Sequence, residues 1–213
     1  MAARKEVRMI ASEDDARAWI AERHGAAAVD RLAAFAAIVV EETARQNLIS
    51  PSTIPHIWVR HLLDSAQLLA HVDGAAGAWL DVGTGAGFPG IVVAMLRDAP
   101  TTLVEPRAKR AKFLLDSAAA LGLDHVTVVQ SRVEMIPAAR FAVISARAVA
   151  SLDDVVDMTR HARDQRTLYI LPRGRSGRSD LETLRPEWQG LFHVEQSLTD
   201  PESSIILGKG VTR

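Results

Sequence analysis

The stretch Ala78–Gly90, with the sequence AWLDVGTGAGFPG, decides the fold. Its apolar start is typical of a short buried strand, and the run GTGAG at 83–87 then predicts a tight turn, because glycine tolerates bends that other residues do not. Pro89 follows where a helix would begin, the helical position that proline tolerates best. The stretch therefore predicts a strand, a glycine turn and a helix whose N-terminus can face a ligand.

Three ligand classes use a turn of this kind. A P-loop needs Lys followed by Ser or Thr after its last glycine, but Ile91 and Val92 follow Gly90, so this class is excluded. The dinucleotide fingerprint G-x-G-x-x-G is broken at Phe88. This break weakens the case for a nicotinamide or flavin oxidoreductase without excluding it.

The remaining pattern is acidic-x-G-x-G-x-G at Asp81–Gly87, which resembles the first motif of class I S-adenosylmethionine methyltransferases. In such a motif Gly83, Gly85 and Gly87 form the turn against the cofactor. Asp81 would end the strand near the cationic end of the cofactor. The resemblance makes S-adenosylmethionine the expected cofactor.

Glu105 ends the next predicted strand. A carboxylate at this place can accept hydrogen bonds from both hydroxyl groups of a ribose. The alternative is a surface acid paired with Arg107 or Lys109. After the first motif, ribose binding is the favoured interpretation.

Apolar runs and helical stretches alternate after residue 77, which predicts an α/β fold with helices on both faces of a parallel sheet. Two late runs, Phe192–Val194 and Ser204–Leu207, are expected to add an antiparallel pair at one edge. The result would be a mostly parallel, Rossmann-like sheet of seven strands. The other predicted strands are Ala78–Val82, Thr101–Glu105, His125–Gln130, Phe141–Ser145 and Thr167–Leu171.

Residues 1–77 are predicted to form a helical extension packed on a core of residues 78–213. Leu32, Ala36 and Val39 recur at helical spacing, and Asn47–Pro55 breaks the pattern with two prolines. A second helix is expected to follow from Trp58.

Composition narrows the function classes. The 213 residues include no Cys, carry a net charge of −1 and contain no apolar run long enough to span a bilayer. Disulfides and Cys-ligated metals are excluded, and the seven histidines show no metal-ligand spacing. These features predict a cytoplasmic protein, expected as a monomer that needs neither metal nor membrane.

Several motifs in order make the resemblance more specific. They are similar to those of the RsmG (GidB) family of 16S ribosomal RNA guanine-N7 methyltransferases. The segments are NLIS from Asn47, VRHLLDS at Val59–Ser65, GTGAGFPGI at Gly83–Ile91, KRAKFL at Lys109–Leu114, QSRVE at Gln130–Glu134 and SARAVASL at Ser145–Leu152.

The resemblance implies methylation of N7 of one guanine, position 527 in the 530 loop of 16S rRNA, within the small subunit or an assembly intermediate. The alternative to an enzyme is a non-catalytic RNA-binding or assembly factor that keeps a vestigial cofactor site. The family's cofactor contacts fall on Gly83, Phe88, Val133, Glu134 and Arg147. No catalytic acid or base is predicted, because N7 has a lone pair and no proton to lose.

The candidate RNA contacts are basic residues and one histidine that lie outside the glycine turn. One basic group either contacts phosphate or forms a solvated helix face; its members are Arg107, Lys109, Arg110 and Lys112. His61 either lines the RNA pocket beside Arg60 or is a packed or capping histidine. Arg173 keeps the positive charge where the family often has Lys-Gly. A solvated loop is the plain expectation for Arg173–Ser179.

Overall fold

The computed structural model describes residues 9–72 and 77–212, which contain a seven-stranded sheet in the order β3-β2-β1-β4-β5-β7-β6. Within this part of the chain β7 runs opposite to the other six strands, so its pairs with β5 and β6 are antiparallel. The predicted fold and the late antiparallel pair are confirmed. The strands are β1 Trp79–Val82, β2 Thr101–Val104, β3 Val126–Val129, β4 Val143–Ala146, β5 Leu168–Arg173, β6 Gln189–Gln196 and β7 Ser204–Thr212.

Helices precede the sheet and alternate with its strands. Of the described helices, none is long and apolar enough to cross a membrane. The α-helices are α1 Glu13–His24, α2 Ala26–Gln46, α3 Asp64–Ala66, α4 Gly90–Leu96, α5 Ala108–Ala120, α6 Leu152–Met158 and α7 Gly177–Glu182. Shorter 3-10 helices are Pro51–His56, Gln67–His71, Val133–Met135 and Arg160–Ala162.

The helical region before the sheet differs from the prediction at its break. Helix α2 ends where Asn47 adopts a left-handed conformation with φ of 49°, but Pro51–His56 is already a 3-10 helix, since proline is tolerated at a first helical position. The expected second helix continues as a π-helix at Trp58–Leu63. Its first N–H groups, those of Trp58 and Val59, donate to the Glu13 carboxylate at 3.0 and 2.9 Å.

Helices α2 and α5 pack on one face of the sheet through an apolar cluster. Leu32 and Phe35 of α2 are fully buried together with Leu103 of β2 and Leu114 of α5. The division between residues 77 and 78 stays a prediction, because residues 1–8 and 73–76 lie outside the described ones.

A buried carboxylate ties the glycine turn to the sheet. Asp81 is inaccessible to solvent; its Oδ2 accepts the Gly90 N–H at 3.0 Å and its Oδ1 accepts the Ser145 hydroxyl at 2.6 Å. Burial raises the pKa of Asp81 to about 6, and the hydrogen bonds from Ser145, Thr84 and Gly90 oppose this rise. Asp81 thus joins β1, β4 and the start of α4.

We expect Asp81→Ala to lower the free energy of unfolding by about 2–3 kcal/mol, because it leaves the buried donors on Gly90 and Ser145 without an acceptor. Urea unfolding measures the change. The control is Asp116→Ala, which removes an exposed carboxylate paired with Lys112 and should cost under about 0.5 kcal/mol. Equal losses in the two variants would contradict the role given to Asp81.

Candidate active site

The glycine turn has the backbone conformation that its sequence predicts. Gly83, Gly85 and Gly87 have positive φ angles of 65°, 60° and 94°, which side chains disfavour. A Cβ on Gly85 would meet nothing closer than the Arg110 guanidinium at 3.5 Å, whereas one on Gly87 would lie 2.6 Å from the Phe35 ring. The turn is therefore open at Gly85 and packed against the core at Gly87.

Glu105 lies buried beside this turn, with 3% of its surface exposed. Its Oε2 accepts the Gly85 N–H at 3.0 Å, and its Oε1 accepts the Arg107 N–H at 2.9 Å. Glu105 therefore bonds to the backbone of Arg107. The surface-acid alternative predicted a pair with the Arg107 side chain. A buried acid next to an open glycine fits an adenosyl cofactor, whose ribose needs hydrogen-bond acceptors.

Val133 and Glu134 follow β3, as predicted, in the 3-10 turn Val133–Met135. Val133 is buried in the sheet's second apolar cluster, and Glu134 is exposed. Glu134 lines a shallow cavity of about 390 Å³ with Asp154 and Asp157. Val133 does not line this cavity, and the adenine contacts of Val133 and Glu134 stay predictions.

Phe88 connects the turn to the helical region. It is buried, its ring stacks on the His61 imidazole at 4.9 Å, and the Arg147 guanidinium lies 5.4 Å from its ring centroid. Arg147 Nη2 lies 3.2 Å from His61 Nδ1, and Thr53 Oγ1 lies 2.8 Å from Nε2. Because arginine only donates, Nδ1 accepts and Nε2 carries the proton. Burial, aided by neighbouring arginine charges, lowers the pKa of His61 to about 3, so the ring is neutral.

A cavity of about 500 Å³ opens next to this cluster, at the carboxyl ends of β4 and β5. Four predicted residues from distant parts of the chain line it together: Arg60, His61, Arg147 and Arg173. Arg60 is paired with Asp200 at 2.9 Å. His61 therefore both packs against Phe88 and lines the cavity, so its two interpretations are compatible.

Arg173 is more buried than a loop residue would be. It ends β5 with 8% of its side chain exposed, and its Nη1 donates to the Ala150 carbonyl at 2.7 Å. Its Nη2 has no hydrogen-bond partner among the described residues. Helix α7 begins at Gly177, so the solvated loop expected for Arg173–Ser179 is confined to residues 174–176.

The basic group on α5 lies away from this cavity. Arg107 and Lys109 are exposed, Arg110 is partly buried near the glycine turn, and Lys112 is paired with Asp116. None of these four lines the cavity. Their contact with RNA stays a prediction.

Most residues that line the cavity were not predicted, and among them Asp64 and Thr199 hydrogen-bond to each other. The Asp64 carboxylate accepts hydrogen bonds from Arg147 at 3.2 Å and from the Thr199 hydroxyl at 2.9 Å. All three residues line the cavity. The spacing of Arg60, His61 and Asp64, which places them on one helical face, was the available signal for Asp64. Thr199 lies in the loop between β6 and β7, for which the sequence carries no signal. No cluster of three metal-ligating side chains occurs in the described ranges.

Strand order, glycine turn and buried acid together define a class I methyltransferase fold. The chain belongs to the GidB family, described as rRNA small subunit methyltransferase G, whose sequence profile matches residues 28–203. The predicted resemblance is thereby confirmed.

Relatives with the name ribosomal RNA small subunit methyltransferase G match almost the whole chain. The protein from Erythrobacter litoralis is 45% identical over 95% of this chain and 98% of its own length. That from Rhizorhabdus wittichii is 46% identical over 95% of each chain.

Solved structures support the fold alone, because their sequence identities are low. A SAM-dependent methyltransferase from Aquifex aeolicus superposes with a TM-score of 0.59 at 13% identity, covering 80% of this chain and 98% of its own. A putative methyltransferase, yhhF, from Escherichia coli gives 0.56 at 16% identity, covering 70% and 87%.

An alanine should be tolerated better at Gly85 than at Gly87. Both Gly85→Ala and Gly87→Ala introduce strain of about 1–2 kcal/mol through positive φ, but only the latter forces a Cβ against Phe35. Urea unfolding should show Gly87→Ala less stable than Gly85→Ala by at least about 1 kcal/mol. A Gly85→Ala protein that is the less stable of the two would contradict this packing.

Proposed function

We propose that this chain transfers a methyl group from S-adenosylmethionine to N7 of guanine 527 in the 530 loop of 16S rRNA. The observation that carries the proposal is the cavity lined by Arg60, His61, Arg147 and Arg173 beside the glycine turn, in a member of the rRNA small subunit methyltransferase G family. The enzyme acts in the cytoplasm as a monomer, on the small subunit or an assembly intermediate. Family membership counts against the oxidoreductase alternative.

The cofactor would be held at the carboxyl ends of β1 to β3. Gly83 and Gly85 offer the backbone, Glu105 the acceptor for the ribose, and Val133 and Glu134 the surroundings of the adenine. When bound, S-adenosylmethionine supplies an electrophilic methyl group. Asp81 would support cofactor binding indirectly, by fixing the glycine turn. Its two carboxylate oxygens already accept hydrogen bonds from Gly90 and Ser145.

The target base would occupy the cavity at β4 and β5. An N7 atom inside A-form RNA lies in a groove too narrow for side chains, so the base must be presented from a loop or flipped out. Arg60, Arg147 and Arg173 give the cavity the positive charge that flanking phosphates need. The chain's own residues position the base, which is the main contribution when the attacking atom carries no proton.

Mapping N7-methylguanosine tests the proposal. Small subunits from cells lacking the gene should gain this nucleoside at one 16S position when incubated with the protein and S-adenosylmethionine. Reduction followed by chain cleavage locates the methyl group. A methyl group at another atom or in another RNA would contradict the assignment, and no transfer to any particle would favour the non-catalytic assembly factor.

Glu105→Gln should weaken S-adenosylmethionine binding about 10- to 100-fold, the usual range for losing a hydrogen bond to a charged acceptor. Gln is preferred to Ala because its oxygen can still hold one of the two backbone N–H groups. Calorimetry measures the affinity. Glu22→Gln, on an exposed part of α1, is the matched control and should bind like the wild type. Unchanged affinity in a folded Glu105→Gln protein would remove Glu105 from the ribose site.

Methyl transfer should be independent of pH between about 7 and 9, because N7 needs no base. His61, with a pKa of about 3, does not titrate in this range, and Asp81, with a pKa of about 6, is already ionised. Single-turnover rates at saturating cofactor and RNA measure the step. A tenfold rise per pH unit that disappears in one Asp, Glu or His variant would show that a base is required.

A further inference from the structure

The wall of the substrate cavity carries one feature that the proposed chemistry does not use. The residues lining it include three arginines and several hydroxyl side chains, but only one acid, Asp64. An acid next to Arg60 and Arg147 is unfavourable for binding phosphate, since it offsets part of their charge. Its place in the cavity therefore calls for a ligand group that donates hydrogen bonds.

The hydrogen bonds of Asp64 leave part of the carboxylate available. Oδ1 accepts from Gln67 Nε2 at 3.0 Å and from Thr199 Oγ1 at 2.9 Å. Among the described residues, Oδ2 accepts only from Arg147 Nη1, at 3.2 Å. A carboxylate has about four lone-pair sites. One lone-pair site on Oδ2 can therefore accept a further hydrogen bond. The Asp64 side chain is 18% exposed and is held in place by Gln67, Thr199 and Arg147.

The bases differ in what they present to such an acceptor. Guanine carries two adjacent donors, the N1–H and the 2-amino group, whereas adenine and cytosine place a lone pair at the equivalent ring nitrogen. Enzymes that extrude a base read this Watson–Crick edge by hydrogen bonds. The edge lies across the base from N7, so a base held there leaves N7 free on its other side.

We propose that Asp64 selects guanine by accepting, at Oδ2, a hydrogen bond from the N1–H or 2-amino group of the target base. Arg147 links this acceptor to the glycine turn, because the same guanidinium that donates to Asp64 lies against the Phe88 ring. Asp64 is thus a specificity-determining residue of the proposed rRNA site, on which this inference rests.

Base analogues at the target position test the proposal. Particles that the wild type methylates would be rebuilt on 16S rRNA with guanosine, inosine (no 2-amino group) or 2-aminopurine (no N1–H) at that site. Single-turnover rates of wild-type protein should fall about 10- to 100-fold with at least one analogue. In Asp64→Ala the rate with guanosine should fall, and the analogue penalty should shrink to within about threefold, because the carboxylate that sensed the missing donor is gone.

Asp200→Ala is the matched control, since Asp200 pairs with Arg60 nearby but does not line the cavity. It should keep the full analogue penalty whatever its rate. Melting temperatures check folding, and Asp64→Ser replaces Asp64→Ala if the alanine variant is unfolded at the assay temperature. Equal wild-type rates with all three bases, or an undiminished penalty in the Asp64 variant, would overturn the inference alone. Failure of the wild type to methylate N7 of guanosine would overturn the proposed function with it.

Discussion

The fully buried carboxylate of Asp81 is the contact on which the geometry of the site depends. A buried charge is tolerated only when donors surround it, and here the donors come from the start of α4 and from β4. The same contact therefore fixes the glycine turn against the sheet and sets the end of β4. Arg147 follows Ser145 by two residues, so the cavity beside the turn is positioned by the interaction that holds the turn.

The helical region before the sheet supplies the other half of the site. A neutral His61 can accept from Arg147, and this pairing places a guanidinium between the ring of Phe88 and the carboxylate of Asp64. A protonated imidazole would repel Arg147 instead. Burial that keeps His61 neutral is thus a condition for the arrangement of charges around the cavity.

The features that could be predicted from the sequence are the ones marked by a periodic pattern or by glycine. Strand spacing revealed the sheet, and the Asp81–Gly87 pattern revealed the turn and its acid. It could not reveal contacts between distant residues, such as Thr199 with Asp64, because no periodicity relates them. Nor did side-chain type indicate that Glu105 bonds to two backbone N–H groups, or that the helix at Trp58–Leu63 is π-wound, since both follow from packing.

The insertion of β7 between β5 and β6 has a consequence for biosynthesis. The loop before β7 gives the cavity its Thr199, and β7 itself completes the sheet from residues that follow β1 to β6 in the chain. A nascent chain that has emerged up to β4 already contains the hydrogen-bond partners that the described residues give Asp81 and Glu105, so the glycine turn can form first. The cavity has to wait for the hairpin of β6 and β7. Translation thus separates the two halves of the site in time, and a growing chain gains the glycine turn before it gains the cavity beside it.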